Sequence, residues 1–257
     1  RNGKDAIQKI KQLGPDVVTM DVEMPEMNGL DALKEIMIET PVPVVMLSST
    51  TQRGADNTLI AMEYGAVDFV AKPSGTISLD LHKIQDELVE KVEQAVQIPI
   101  NKLKSPLVPR KLQQPEVKDQ PEVKAPVKPV PVFERRKKEA APVATSVKKT
   151  DWNRASKKII LIGTSTGGPR ALQEVITKIP ANVDAPILIV QHMPAGFTKS
   201  LATRLDQLSA IHVKEAEQGD VLQKGTAYIA PGGYHMKLRK VGATYGIVLD
   251  QTEPPRS

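Results

Sequence analysis

Residues 159–172 read IILIGTSTGGPRAL. An apolar run stops at Gly163, a serine follows among small residues, and Pro169 opens a helical pattern. The reading is strand, tight turn, helix. GTSTG at 163–167 fits the G-x-S-x-G pattern, in which a serine nucleophile is held on a sharp strand-to-helix turn. Pro169 suits a first helical turn, because its missing N–H costs nothing there. Ser165 then stands at the positive end of the helix, where the backbone N–H of Thr166 and its neighbours can hold an oxyanion. Two other readings compete. One is a phosphate-cradling loop, but GTSTGGPR lacks the Gly-Lys-Ser/Thr ending of that motif. The other is a plain turn with a capping serine.

Working outward, the next apolar run is PILIVQ at 186–191, and His192 follows it as Ser165 follows the run before. Consecutive parallel strands joined by one helix are usually neighbours. Their carboxyl ends are therefore expected to bring Ser165 and His192 within hydrogen-bond reach. A serine hydroxyl needs such a base to become nucleophilic. His82 starts a helix and reads as a surface residue; His212 has no comparable placement. His235 follows PGG in a strand-end loop and reads first as structural. The acid of a triad is harder to place. Glu174 and Asp184 lie between Ser165 and His192, one in a helix and one in a loop, while Asp220 and Asp250 follow His192 outside any convincing motif.

The pattern around these runs is α/β. Strands are expected at 158–163, 186–191 and 226–230, with helices over 169–179 and near 197–208. The first hundred residues alternate in the same way. Helical faces at Ile7, Ile10 and Leu13, at Leu30, Leu33 and Met37, over 58–65, and from Leu81 to Ala95 flank apolar strands at 16–20, 43–49 and 68–73. Continuous apolar strands between helices mean doubly wound parallel sheets covered on both faces. Between the halves, residues 101–150 carry 8 prolines, one aromatic, and 13 Lys and Arg against 5 Asp and Glu. That composition specifies an extended, disordered linker, with ERRKK at 134–138 as a possible basic contact. The domains are thus placed at 1–98 and 155–257, joined by a linker at 99–154.

The net charge of +5 belongs to that linker, since the remaining residues hold 22 basic against 25 acidic side chains. No ordered basic face for nucleic acid is implied. A DNA-binding output domain would need a helix-turn-helix after the linker, where buried-type strands stand instead. No apolar run approaches a membrane span, there is no cysteine, and nothing resembles a signal peptide, which together suit a cytoplasmic protein. The chain opens on Arg1 and closes on TEPPRS, which completes no element, so it reads as a piece cut at both ends.

Parallel sheets place ligands at the carboxyl ends of their strands. In the first half Asp21, Ser48 and Lys72 fall there. A carboxylate, a hydroxyl and an ammonium at one edge can accept a phosphoryl group and hold its oxygens. DVEMPEMNG, LSS and GAVDFVAKP resemble the receiver domain of two-component response regulators, a flavodoxin-like fold. That resemblance implies phosphorylation of Asp21 by a histidine kinase, switching at Ser48 and Phe69, and contact of Lys72 with the phosphoryl group. It also implies Mg²⁺ held with an acidic pair on a strand that is missing here.

IGTSTGGPRAL, ILIVQHMPAGFTKSLATRL and GTAYIAPGGYHM resemble the effector domain of the chemotaxis protein-glutamate methylesterases, and the order receiver, linker, effector matches that family along the whole chain. The resemblance implies Ser165 as nucleophile, His192 as base, no cofactor for hydrolysis, and a triad aspartate further toward the C-terminus than Ser257. This chain is accordingly expected to be impaired by itself. It also implies hydrolysis of glutamyl methyl esters, and deamidation of glutamines, on the cytoplasmic helices of chemoreceptors. The receiver is expected to pack over the serine edge until Asp21 is phosphorylated. The alternative is a phospho-regulated receiver coupled to a binding domain without chemistry.

Overall fold

The structure is a computed structural model and describes residues 2–73, 79–99 and 158–252. The linker tract at 101–150 and the side chain of His82 lie outside the described residues.

The first three helices begin where a side chain caps them. Asn2 accepts from Asp5 N at 2.9 Å ahead of α1 (Gly3–Leu13), and Asn28 accepts from Asp31 N at 2.9 Å ahead of α2 (Gly29–Glu39). Thr51 accepts from Gly54 N at 3.0 Å ahead of α3 (Gln52–Tyr64). These oxygens satisfy N–H groups that the first helical turn leaves without partners. The strands β1 (Val18–Asp21), β2 (Val44–Ser48) and β3 (Asp68–Ala71) form a parallel sheet in that order. Its register aligns Asp21 with Leu47 and Ser48 with Ala71, so the carboxyl ends make one edge.

Alternate residues of β2 go to opposite faces. Val44 and Met46 pack with Leu33, Ile36 and Met62 of α2 and α3. Val45 packs with Ala95 and Leu88 of α4 (Leu79–Val96) on the other. Burial on both faces explains the unbroken apolar runs. The expected helix at 58–65 starts six residues earlier, because the Thr51 cap, not apolar periodicity, sets its beginning.

The second half repeats the logic. The strands β4 (Ile160–Thr164), β5 (Ile187–Gln191), β6 (His212–Glu215) and β7 (Thr226–Ile229) form a parallel sheet ordered β4-β5-β7-β6. Ile187 and Ile189 face α5 (Gly168–Ile176) and α6 (Phe197–Leu208), in a core with Leu172, Ile176, Leu201 and Leu205. The opposite face, at Leu188 and Tyr228, meets Ile247 and Met236 of an antiparallel hairpin, β8 (His235–Val241) and β9 (Thr244–Asp250). The sequence reading did not foresee this hairpin. Its first strand, HMKLRKV, is largely exposed and mixes basic with apolar residues. His235, read as part of a loop, is the first residue of β8 and is exposed.

The two halves share one apolar core that runs from Met46 and Phe69 to Leu172 and Phe197.

Candidate active site

Parallel pairing of β4 with β5 sets Thr164 opposite Gln191, so Ser165 and His192 leave adjacent strand ends side by side. Ser165 Oγ lies 3.4 Å from His192 Nδ1, and both residues are exposed. A separation at the long end of the hydrogen-bond range is usual for a resting serine–base pair, which tightens when substrate binds. The turn after Ser165 is closed by Gly168 N donating to Ser165 O at 2.8 Å. It demands positive φ at Gly167 (73°), which glycine adopts without strain. Thr166 is the middle of that turn, next to the amino end of α5.

A residue that the sequence reading passed over lies beneath this pair. Gln191, buried at the end of β5, donates from Nε2 to Ser165 O at 3.0 Å and to His192 O at 3.2 Å. Its Oε1 accepts from Thr164 Oγ1 at 2.7 Å. The signal was present: a single polar residue closes PILIVQ on the alternation that buries Ile187 and Ile189.

The other candidates are occupied elsewhere. His212 pairs with Asp206 at 2.8 Å at the start of β6. Asp220 accepts from Lys214 Nζ at 2.9 Å and from Glu217 N at 2.8 Å. Asp250 is held by Lys237 and Thr252, Lys237 foremost, and its carboxyl lies well below the usual range. Glu174 pairs with Lys178 one helical turn away, and Asp184 with Lys224. None of these pairings joins a carboxylate to His192.

At the edge of the first sheet, Lys72 Nζ donates to Asp21 Oδ2 at 2.5 Å, and Glu23 N donates to Asp21 Oδ1 at 3.0 Å. Asp21 and Lys72 are both partly exposed, so the carboxylate is accessible. Ser48 is fully buried and donates to Gly54 O at 2.9 Å. Phe69 points inward, its ring stacked on Phe197 at 4.7 Å between centroids and 17° between planes. Buried Lys91, 3.3 Å from Asp68 and 2.8 Å from Glu87, donates to Phe69 O at 2.5 Å, a cluster the sequence reading also missed. Among the described residues no group of three or more His, Asp or Glu converges as a metal site.

The first half contacts the second through α3, which packs on α5 and α6. Gln52 Nε2 donates to Ser200 Oγ at 2.6 Å, and Arg204 Nε to Glu63 Oε1 at 2.6 Å. An open groove of about 340 Å³, lined by Ala66, Val67, Gly167 and Arg170 among others, lies between the halves near the turn after Ser165. Ala66 and Val67 of the first half line that groove with Gly167 and Arg170, at and just after that turn, while Ser165 and His192 themselves are exposed to solvent.

Comparison with known proteins fits this arrangement. Residues 1–83 match the response regulator receiver domain, and residues 160–256 match the family described as CheB methylesterase. The chain unites a receiver domain with a CheB methylesterase domain. The protein-glutamate methylesterase/protein-glutamine glutaminase of Halalkalibacterium halodurans is 49% identical over 256 residues, 99% of this chain and 63% of that protein. That of Geobacillus kaustophilus is 51% identical over 257 residues, 100% of this chain and 64% of that protein. The chain thus spans somewhat under two thirds of these relatives' own length. Among solved structures, the Thermotoga maritima CheB methylesterase catalytic domain is 50% identical, covering 39% of this chain and 53% of that one at a TM-score of 0.38. The response regulator domain of Thermotoga maritima CheB is 48% identical, covering 38% and 73% at a TM-score of 0.35. Among the described residues, no helix is long and apolar enough to cross a membrane.

Proposed function

We propose that the protein is a phosphorylation-regulated protein-glutamate methylesterase and protein-glutamine glutaminase, acting in the cytoplasm on methylated glutamates and on glutamines of chemoreceptor helices. The names of its relatives support the substrate class. The observation that carries the chemistry is the 3.4 Å approach of Ser165 Oγ to His192 Nδ1 at adjoining strand ends.

In this reading Ser165 Oγ attacks the side-chain carbonyl of the substrate. His192 takes the hydroxyl proton and delivers it to the departing methoxide or amide nitrogen, releasing methanol or ammonia. The N–H of Thr166, near the amino end of α5, donates to the oxyanion. Water then opens the acyl-enzyme with His192 again as base, restoring Ser165 and freeing the carboxylate. The exposure of both side chains suits a substrate that is itself a folded protein surface. In this reading the hydrolysis needs no cofactor.

Asp21 is the phosphoryl acceptor: its carboxylate oxygen attacks the phosphorus of a histidine kinase's phosphohistidine, the O–P bond forms as the P–N bond breaks, and the kinase imidazole leaves. Lys72 already touches that carboxylate and is placed to follow the new charge. Ser48 and Phe69 are the switch residues. Phe69 reaches the second domain directly through Phe197, so a change at Asp21 that reorients Phe69 alters the contact beside the nucleophile.

The test is a serine-directed fluorophosphonate together with methanol release from methylated receptor fragments. The parent protein labels at Ser165 and releases methanol, while Ser165→Ala does neither, losing about 10⁴-fold or more in rate. A Ser165→Ala protein that keeps its methanol release overturns the assignment. A parent that binds receptor but never labels is the binding domain without chemistry.

A further inference from the structure

We propose that Gln191 is the positioning residue that fixes the geometry between nucleophile and base, a role that rests on the assignment of Ser165 and His192 above. The carboxamide reaches the main chain of both residues at once. Nε2 spends its two protons on the carbonyls of Ser165 and His192, and Oε1 takes the Thr164 hydroxyl. These three bonds use both donors of the amide and one acceptor site, inside a side chain that is 5% exposed. The amide orientation is fixed by its surroundings: turned over, Oε1 would face two carbonyl oxygens.

The bracing is closed from the other side. Gly168 N also donates to Ser165 O, and His192 N donates to Thr164 O at 3.0 Å. The amino end of α5 lies so close that a Cβ on Gly168 would stand 1.9 Å from Gln191 Oε1 and 2.8 Å from Thr164 Cβ. The backbones of nucleophile and base are therefore joined through one buried amide, leaving mainly side-chain torsions between Ser165 Oγ and His192 Nδ1. Both side chains are exposed, so the support beneath them bears directly on their separation. An error of about 1 Å in such a pair costs on the order of 100-fold in rate.

The test uses the complete protein and the fluorophosphonate probe, whose reaction with Ser165 does not depend on which ester is the natural substrate. Gln191→Met keeps length and removes all three bonds. Its second-order labelling rate at Ser165 is expected to fall at least about tenfold at temperatures well below its unfolding midpoint, with the pH midpoint of labelling unchanged. A purely structural role would lower the unfolding midpoint and leave that rate alone. Thr164→Val removes the Oε1 contact, together with the longer approach to Val190 O at 3.4 Å, and is expected to slow labelling several-fold, with Thr164→Ser recovering most of the loss. Folded Gln191→Met that labels within about twofold of the parent overturns the proposal. If circular dichroism shows that Gln191→Met does not fold, the Thr164 pair decides: Thr164→Val at the parental rate overturns it, and a slow Thr164→Val restored by serine supports it. A parent that fails to label at all overturns the nucleophile assignment itself, which distinguishes that failure from a failure at Gln191.

Discussion

Tyr228 shows how much a single buried hydroxyl decides in this fold. It is 3% exposed, accepts from Gln223 N at 3.1 Å and donates to Val221 O at 3.1 Å, which ties the loop ahead of β7 to the strand itself. Burial is the main cause that raises its phenol above the ordinary value of 10.0, with the Gln223 bond opposing. The folded state thus prefers the neutral phenol more than the unfolded chain does. Its contribution to stability is complete below about pH 10 and is lost as pH rises through the raised folded value. Tyr228→Phe should cost about 1–2 kcal/mol at neutral pH by leaving Gln223 N and Val221 O without this partner. It should also flatten the alkaline loss of stability, as read by urea unfolding between pH 8 and 11. At this scale the sequence marked the chemistry-bearing residues plainly and the bracing one only by its place at the end of an apolar run. Ser165 and His192 stand out because each ends an apolar run, whereas Gln191 differs from a satisfied polar residue only by what it touches in space.

At the scale of elements, α5 carries the second domain's arrangement. Leu172 and Ile176 turn inward one helical turn apart, 1% and 0% exposed, and press on Ile187 and Ile189 of β5. Truncating Leu172 to alanine should cost about 2–5 kcal/mol, measured by chemical unfolding, since the helix end cannot fully collapse onto the gap. Gly168→Ala acts at the other end of the same helix by overpacking against Gln191. Strands β2, β3 and β7 were legible because burial on both faces writes an apolar run that the helical period then interrupts, while β4 carries the same kind of run with Ile160 and Leu161 exposed. The hairpin β8–β9 was not legible. It packs through a few residues, among them Met236, Ile247 and Leu249, while Leu238, Val241 and Tyr245 stay exposed, so its pattern does not separate an inside from an outside.

At the scale of the whole molecule, the receiver and methylesterase domains meet through a shared apolar core and cross-contacts that include the Phe69–Phe197 stack, Gln52 with Ser200, and Glu63 with Arg204. Glu63 is the more shielded partner of its ion pair, at 10% side-chain exposure against 38% for Arg204. Arg204→Ala strands a shielded carboxylate, so it should weaken the contact by roughly 1–2 kcal/mol. The expected readout is a larger radius of gyration in small-angle scattering, and an unchanged radius would refute a holding role for the pair. The sequence by itself determined the two α/β domains, the strand ends that carry Asp21, Ser165 and His192, and the turn that lifts the serine. All of these follow from local rules: apolar periodicity, capping residues, and glycine where φ is positive. Tertiary structure alone decided that β7 lies between β5 and β6, that a hairpin covers part of one sheet face, that Gln191 bridges two carbonyls, and that α3 rests beside the serine. Those depend on contacts between residues far apart in the chain, whose free energy comes from shape and burial that no short stretch encodes.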